Sequence, residues 1–323
     1  MSLIWRLLVA AVLAVPHTVV LGQDYPSRPV RLVVPFSPGG STDVLGRLVA
    51  QKLNVHWKQA VVPENRVGAS GRIGAEYVAK TAAPDGYTLL VAGAPHSIGM
   101  SLFRNNRYDL VRDLSAIGLI ATFPSIIVVH PTLPVKSVKD LIALAKAHPG
   151  QIDFGSPNLG SPNHLVMELI KSMAHVKLTN IPYKGGSGQM MGDLIAGHIQ
   201  IASMGFPPAI PLIENGRLRA IAVTSAKRSA ILPQVPTVAE SGLPGFEVNS
   251  WYGVFGPAAL PANLRARING DIVAILGDND LKQRLAKLGA EPGPMSADAF
   301  SSFVKNDVAK WAKVVKESGA SAN

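Results

Sequence analysis

Short β-rich runs alternate with amphipathic helical runs along nearly the whole chain beyond its first 23 residues, and this alternation limits the possible folds. Residues 30–36 form an apolar strand-like run, which a turn rich in Gly, Ser and Pro joins to a helical run at 44–53. The same order returns at 152–173 and at 180–196. Strands that alternate with helices are typical of α/β folds with parallel sheets. We therefore predict an α/β fold of mostly parallel sheets flanked by helices.

The first 22 residues have the pattern of a secretory signal. Arg6 precedes an uncharged apolar run at 7–15, and a tolerated cleavage position follows at Gly22. The run is shorter than the roughly 20 apolar residues that span a bilayer core. The alternative reading is a buried N-terminal helix. We expect cleavage after Gly22, which would leave a soluble periplasmic chain of residues 23–323.

The strand–helix pattern passes through two rounds before a helical tail. About 300 residues is near the size at which one hydrophobic core stops growing and a chain divides. No low-complexity linker separates the rounds, so we expect two close crossovers, one near Pro124 and one near 247–251. Lobe 1 would then consist of residues 23–124 and 248–323, and lobe 2 of residues 125–247. Because parallel sheets bind ligands at the carboxyl ends of their strands, a ligand is expected in the cleft between the lobes.

The sequence has no cysteine and a formal net charge of +10. The absence of cysteine excludes disulfides, thiolate metal ligands, cysteine nucleophiles and a lipid anchor on an N-terminal cysteine. The basic residues are dispersed and aromatic residues make up only 6% of the chain, which argues against a nucleic-acid partner. The histidines are scattered with no pair four residues apart among 130, 148, 175 and 198, so no metal site is predicted.

Three segments repeat one arrangement, in which a strand leads through a glycine-rich loop into a helix. They are 36–43, 154–164 and 183–189. A helix N-terminus leaves backbone N–H groups unpaired and carries roughly half a positive charge. Since glycine lets a ligand approach the backbone closely, such loops can bind a carboxylate or phosphate without a charged side chain. The ordinary alternative for each loop is a simple strand-to-helix turn.

The Lys184 loop differs from nucleotide-binding loops. Lys184 precedes its glycines, which is the reverse of the order in a phosphate-binding P-loop, and the dinucleotide glycine signature is also absent from the sequence. We expect no nucleotide and no other cofactor.

Eleven segments, in one order over nearly all of the mature chain, carry a resemblance to a known family. They are 25–36, 38–43, 64–71, 84–89, 155–156, 160–161, 164–165, 181–186, 193–194, 219–225 and 235–240. In these segments the chain resembles the Bug/TctC family, the extracytoplasmic solute receptors of tripartite tricarboxylate transporters.

The resemblance implies a two-lobed periplasmic-binding-protein fold of a type II-like kind, which closes around a small carboxylated ligand. Dicarboxylates, tricarboxylates, amino acids and aromatic acids are the ligand classes that it implies. It further implies a monomer that delivers its ligand to an inner-membrane permease or a sensor, and a protein that is not an enzyme.

The resemblance also assigns ligand-binding residues to both lobes. In lobe 1 they are Phe36, Pro38, Gly39, Gly40, Ser41, Asp43, Ala94 and His96. In lobe 2 they are Ser156, Gly160, Ser161, His164, Tyr183, Lys184 and Gly185. Two departures from the family lie near this site. At Leu159 the family commonly has a smaller residue, and at 187–191 it commonly has a helix start that contains alanine and proline. The ligand itself is therefore not carried over.

Several of these residues have a structural alternative. His164 either donates to a ligand carboxylate or bonds within its own loop, and Lys184 either pairs with an anion or is solvated. Asp43 fits a role in fixing its loop and helix better than a role in binding an amino group. Trp251 and Tyr252 fit hinge or core packing.

A hydrolase is the alternative from a different functional class. Ser161 and His164 are close in sequence, but no acid partner can be assigned to them and no Gly-x-Ser-x-Gly elbow is present. This alternative would require turnover of activated esters.

Overall fold

The computed structural model describes residues 25–38, 41–157, 161–183 and 187–318. The predicted signal peptide at 1–22 lies outside the described residues. The described chain is built from alternating strands and helices, with one 3-10 turn at Ala69–Gly71.

The strands are β1 Val30–Val34, β2 Val61–Asn65, β3 Thr88–Gly93, β4 Leu114–Val129, β5 Asp153–Ser156, β6 Thr179–Pro182, β7 Ile201–Gly205, β8 Arg219–Val223, β9 Asn249–Pro257 and β10 Glu291–Pro292. The helices are α1 Ser41–Trp57, α2 Arg72–Lys80, α3 Ala94–Leu102, α4 Val138–Ala147, α5 Pro162–Ala174, α6 Ser187–Ala196, α7 Phe206–Glu214, α8 Ala262–Leu276, α9 Asn279–Lys287 and α10 Ala297–Ser318.

The strands pair in the order β2-β1-β3-β9-β4-β7-β5-β6, and β8 and β10 also pair with β4. The outer strands of each half run parallel, namely β1 with β2 and β3, and β5 with β6 and β7. In contrast, β9 is antiparallel to β3 and β4, and β4 is antiparallel to β7 and β8. The α/β class predicted from the sequence is confirmed. The sheet is mixed, because its central strands β9 and β4 pair antiparallel with each other and with their neighbours β3, β7 and β8.

β4 extends through both halves of the sheet as one strand, and it contains Pro124, near which a crossover is predicted from the sequence. Its residues up to Pro124 pair with β9, whereas Ser125–Val129 pair with β7 and β8. Proline has no N–H to donate to a ladder. At the next residue, the Ser125 amide donates to Thr224 Oγ1 at 2.8 Å, so its N–H stays satisfied where the strand changes partners.

α10 packs into the hydrophobic cores of both sheet halves. Phe300 near its start contacts Trp251 of β9, with ring centroids 5.7 Å apart. Trp311 near its end belongs to the same core cluster as Phe154 of β5. Between them the buried Asp307 accepts a hydrogen bond of 2.8 Å from Trp251 Nε1. The C-terminal helix therefore links the two halves by side-chain packing in addition to the strand crossings.

α3 was not predicted from the sequence, because its glycine, its proline and its two serines weaken the helical signal. It forms because Pro95 lies in its first turn, where proline is tolerated, and because Ile98 and Leu102 are buried in a core cluster. The chain enters α3 through Gly93, which pairs with Tyr252 of β9.

Replacement of Gly93 tests this close approach. A Cβ at Gly93 would overlap the Trp251 carbonyl oxygen and would lie 2.8 Å from Tyr252 Cδ1. Because overpacking a core costs about 1–3 kcal/mol, we expect Gly93→Ala to lower the free energy of urea unfolding by about 2–3 kcal/mol.

Gly270→Ala in α8 is the matched control for that substitution. The added Cβ would meet nothing within 4 Å, and alanine is favoured over glycine inside a helix by about 0.5–1 kcal/mol. Equal stability of the Gly93→Ala variant and the parent chain would contradict the packing described for Gly93.

Candidate functional site

A cavity of about 580 Å³ lies at the carboxyl ends of β5 and β7, where the two sheet halves meet. Its described lining comes from three helix N-termini, from the middle of β4, from β9 and from the turn after α9. The lining residues are Val44, Phe123, Pro124, Ser125, Pro157, Ser161, Pro162, Asn163, Gly205, Phe206, Pro207, Pro208, Ser250, Tyr252, Leu288 and Gly289. None of these described residues carries a charged side chain.

The N-terminus of α5 supplies a polar part of the cavity. Ser161 precedes the helix, and its Oγ accepts a hydrogen bond of 3.2 Å from the His164 amide. Pro162 occupies the first helical position, where a missing N–H is harmless. Asn163 follows, and its Oδ1 accepts a hydrogen bond of 3.4 Å from Ser125 Oγ of β4. The cap and this side-chain bond fix the first turn of α5 against the strand crossing.

The N-terminus of α1 is fixed by the buried Asp43. The Asp43 carboxylate accepts hydrogen bonds from Arg47 Nε at 2.9 Å and from Asn65 Nδ2 at 2.8 Å. Asn65 Nδ2 also donates to the Phe36 carbonyl oxygen at 2.9 Å. Asp43 therefore ties the helix to the loop that precedes it, which agrees with the structural role favoured from the sequence. Val44, the next residue, lines the cavity.

Tyr252 of β9 lies between α1 and the aromatic part of the lining. Burial raises the pKa of the Tyr252 hydroxyl, and a hydrogen bond with Thr42 of α1 partly opposes that increase. The Tyr252 ring packs edge-on against Phe123 of β4, with centroids 5.6 Å apart. The sequence suggested hinge or core packing for Tyr252, whereas the structure also brings it to the cavity wall.

Phe36 and His96 lie together, with ring centroids 5.6 Å apart. His96 is buried, and its Nδ1 accepts a hydrogen bond of 3.2 Å from the Gly93 amide. Burial lowers the pKa of His96 to about 4, against the opposing effect of backbone hydrogen bonds with Gly71 and Gly93. The imidazole is therefore neutral near pH 7, and it packs edge-on against the Phe36 ring.

Tyr183 and Ser156 are buried next to each other at the ends of β6 and β5. The Tyr183 amide donates to the Ser156 carbonyl oxygen at 2.9 Å. The Tyr183 hydroxyl donates to Asp193 Oδ2 at 2.8 Å. Burial, followed by the nearby Asp193 carboxylate, raises the pKa of Tyr183 to about 12. The tyrosine hydroxyl thus holds α6 against β6.

The His164 imidazole is buried in the core of the second sheet half. It stacks on Phe154 with centroids 6.1 Å apart, and its Nε2 lies 3.5 Å from Glu168 Oε1. Glu168 also receives a hydrogen bond of 2.7 Å from Lys171. Burial raises the pKa of Glu168, but the hydrogen bonds from His164 and Lys171 outweigh burial and leave that pKa lowered. These contacts favour the structural alternative for His164.

The remaining predicted residues are distributed as follows. Ala94 is the buried first residue of α3, Ser41 is the first residue of α1, and Pro38 is exposed just before it. Five predicted residues lie outside the described residues, namely Gly39, Gly40, Gly160, Lys184 and Gly185. Of the predicted residues that are described, the structure brings Ser161 to the cavity lining. It also pairs the partly buried Phe36 with the buried His96, and Ser156 with Tyr183, which are both buried.

The N-terminus of α7 is a part of the cavity that was not predicted from the sequence. Gly205 ends β7 and leads directly into the helix at Phe206, so this is a fourth strand–glycine–helix arrangement. Gly205 before a helical run was the signal that could have identified it. Leu288, Gly289 and Ser250 had no comparable signal.

Such a cleft, at strand ends between two halves of an α/β sheet and bordered by helix N-termini, is the architecture of a two-lobed solute-binding protein. The family model described as "Tripartite tricarboxylate transporter family receptor" (TctC) matches residues 45–320. The chain therefore belongs to the Bug/TctC family of solute-binding receptors, as its sequence resemblance indicated.

Individual relatives cover nearly the whole chain. Protein BugT of Bordetella pertussis is 38% identical over 303 residues, which are 93% of this chain and 92% of BugT. An R. palustris protein solved with adipate is 40% identical, with a TM-score of 0.75 over 92% of this chain and 99% of that one. MatC from Rhodopseudomonas palustris, solved with bound malate, is 29% identical, with a TM-score of 0.71 over 90% of this chain and 100% of MatC.

Within the described ranges, no helix has the length and hydrophobicity needed to cross a membrane. Nor do the described side chains include a group of three or more His, Cys, Asp or Glu that could hold a metal ion.

The buried His96 predicts a dependence of stability on pH. Its folded-state pKa of about 4 lies below the ordinary value of 6.5, so between these two values the unfolded chain binds more protons than the native one. The stabilisation is complete above pH 6.5 and is lost as the pH falls toward 4. This histidine should lower the free energy of unfolding by about 2 kcal/mol between pH 7.5 and pH 5.

The His96→Asn variant isolates this contribution, because the asparagine Oδ1 can still accept the Gly93 amide. Urea unfolding of both proteins at pH 7.5 and pH 5 measures it. The parent should lose about 2 kcal/mol more than the variant over this interval. If both proteins lose the same free energy of unfolding between pH 7.5 and pH 5, the prediction that His96 is buried in its neutral form is wrong.

Proposed function

We propose that this chain is a periplasmic receptor that captures a small carboxylate in the 580 Å³ cavity and closes two lobes around it. The observation that carries the proposal is the convergence of helix N-termini from both sheet halves on a cavity whose described lining is uncharged. An enzyme that binds an anion through side chains would place a cation there. A lining of this kind instead leaves recognition to backbone N–H groups and neutral polar side chains.

The chemistry of the first turns fits a carboxylate. The N-termini of α1 and α5 border the cavity from opposite halves, and each carries a partial positive charge. Ser125, Ser161, Asn163 and Ser250 add neutral hydrogen-bonding groups. The bound adipate and malate of two solved relatives support a carboxylate as the ligand class.

The proposed lobes are residues 23–124 with 248–323, and residues 125–247. Support for this division comes from β4, which changes partners between Pro124 and Ser125, and from β9, which begins at Asn249. Both crossings lie beside the cavity, as a hinge between closing lobes requires. The end of α10 departs from this simple division, since Trp311 packs in the core cluster of the second half.

The proposed biological setting follows from the family and the N-terminal segment. Residues 1–22 would direct export, and the mature chain would act as a periplasmic monomer that presents its ligand to a membrane permease or sensor. The proposal includes no turnover. Ser161 Oγ accepts the His164 amide, and the His164 imidazole stacks on Phe154, so these contacts support a helix cap in place of a nucleophile and its base.

Ligand-dependent stabilisation tests the proposed binding. We expect the purified protein to gain about 2.7 kcal/mol of unfolding free energy at a carboxylate concentration of 100 times Kd, because the ligand binds only the native state. Thermal shift and calorimetry with succinate, malate, adipate and benzoate measure it, and the corresponding neutral amides serve as ligand controls. Carboxylate capture would be refuted if the amides stabilised the protein as much as the acids do. It would also be refuted if none of the acids stabilised the protein.

Asn163→Ala locates the binding in the cavity. Loss of a polar group that the ligand contacts typically costs about 1–2 kcal/mol, so we expect Kd to rise roughly tenfold. The exposed Asn54 of α1 provides the matched control, because Asn54→Ala removes the same side chain away from the lining. Equal Kd values for the two variants would place the ligand elsewhere.

Closure is a separate expectation. A carboxylate that contacts both halves favours the closed form by its differential affinity for that form. The radius of gyration from small-angle X-ray scattering should therefore fall when a saturating acid is added and should stay constant with its neutral amide. An unchanged radius under saturating acid would show that binding occurs without lobe closure.

A further inference from the structure

The N-terminus of α7 differs chemically from the other helix N-termini at the cavity. Pro207 and Pro208 occupy its second and third helical positions, and both are exposed and line the cavity. Proline has no N–H. Two of the first backbone donors that a helix normally offers to an anion are therefore missing from α7. This helix presents pyrrolidine rings to the cavity in place of hydrogen-bond donors.

The apolar surface continues beyond the two prolines. Gly289, in the turn after α9, packs against the start of α7, since a Cβ added there would lie 2.9 Å from Phe206 Cβ and 3.7 Å from Pro207 Cδ. Leu288 precedes it in the lining, and Phe123 contributes an aromatic ring from β4. We name Phe123, Phe206, Pro207, Pro208 and Leu288 the apolar wall.

The polar lining residues belong to other elements. Ser161 and Asn163 lie at the start of α5, Ser125 lies in β4, and Ser250 lies in β9. Ser125 and Asn163 are joined by a hydrogen bond of 3.4 Å. Backbone donors at α1 and α5 complete the set that an anion can use, because both helices begin at the cavity. In α5 this donor is the Asn163 amide, since Pro162 has no N–H and the His164 amide donates to Ser161 Oγ. The cavity thus combines groups that suit a carboxylate with a wall whose side chains offer no hydrogen bond to a polar group.

We infer that this site selects a carboxylate with an apolar body of about six or more carbons, either a chain or an aromatic ring, and that Pro207 and Pro208 determine this preference. The inference rests on the proposed function, since it specifies the ligand of the same cavity. A hydroxyl placed against the wall would lose its hydrogen bonds to water without replacement, which disfavours short hydroxy acids. A methylene or a ring placed there gains from its removal from water.

A ligand series measures the contribution of the wall. Calorimetry with butanoate, hexanoate and octanoate should give a Kd that falls about fourfold for each added methylene, until the wall is covered. Succinate should bind more tightly than malate, which differs from it by one hydroxyl. Benzoate should bind more tightly than acetate by a factor of at least ten.

Two substitutions test the role of the prolines. Pro207→Ala and Pro208→Ala each restore an N–H at the start of α7 and remove part of an apolar ring. We expect each variant to reduce the ratio of the malate Kd to the hexanoate Kd by about fivefold or more. Pro211→Ala is the matched control, because Pro211 lies in the same helix, is exposed and is not among the lining residues. That variant should keep the parent ratio.

The outcomes separate this inference from the proposed function. If no carboxylate binds, the proposed function fails and the inference fails with it. If carboxylates bind but malate matches hexanoate, or if the proline variants keep the parent ratio, the inference is overturned while carboxylate capture stands. A proline variant that loses all binding because it is unfolded is recognised by its urea transition. In that case the ligand series measured on the parent protein tests the inference.

Discussion

The hydrogen bonding of one long strand holds this architecture together. β4 pairs with β9 along its first part and with β7 and β8 along its last five residues, so both sheet halves share a single backbone. A buried amide left without a partner at the changeover would cost about 1–3 kcal/mol. Pro124 removes one such amide, and Thr224 Oγ1 accepts the next one, from Ser125. Phe123, Pro124 and Ser125 also line the cavity, which therefore lies where the ladder changes partners.

Local hydrogen bonds prepare the cavity by fixing backbone near it. Asp43 joins α1 to Asn65, and Asn65 in turn holds the Phe36 carbonyl oxygen. Ser161 caps α5, and the Tyr183 hydroxyl holds α6 through Asp193. Several residues that the family resemblance assigned to ligand contact thus perform positioning. Rigid first turns lose little freedom when an anion binds, which lowers the entropic penalty of association.

Much of the fold followed from local patterns, and the parts that did not follow have physical reasons. The apolar period of α1 and the caps of α5 and α9 are signals within a few residues, so those helices were predictable. The length of β4 and the antiparallel direction of β9 depend on pairings between residues more than seventy positions apart, which periodicity does not encode. α3 was missed because tertiary burial of Ile98 and Leu102 overrides its weak propensity. For the site, Ser161 was accessible from sequence, whereas Leu288 and Gly289 reach the cavity only through tertiary packing.

The packing of α10 in both cores has a consequence for how the molecule can move. Two strand crossings alone would permit a wide swing of one half about the other. A helix anchored at Phe300 in one core and at Trp311 in the other resists such a swing, because separation must slide tightly packed side chains past each other. We therefore expect the proposed lobe closure to be a hinge motion of limited amplitude. A chain that ended before Trp311 would keep every cavity-lining residue but would lose the contact that limits how far the entrance can open.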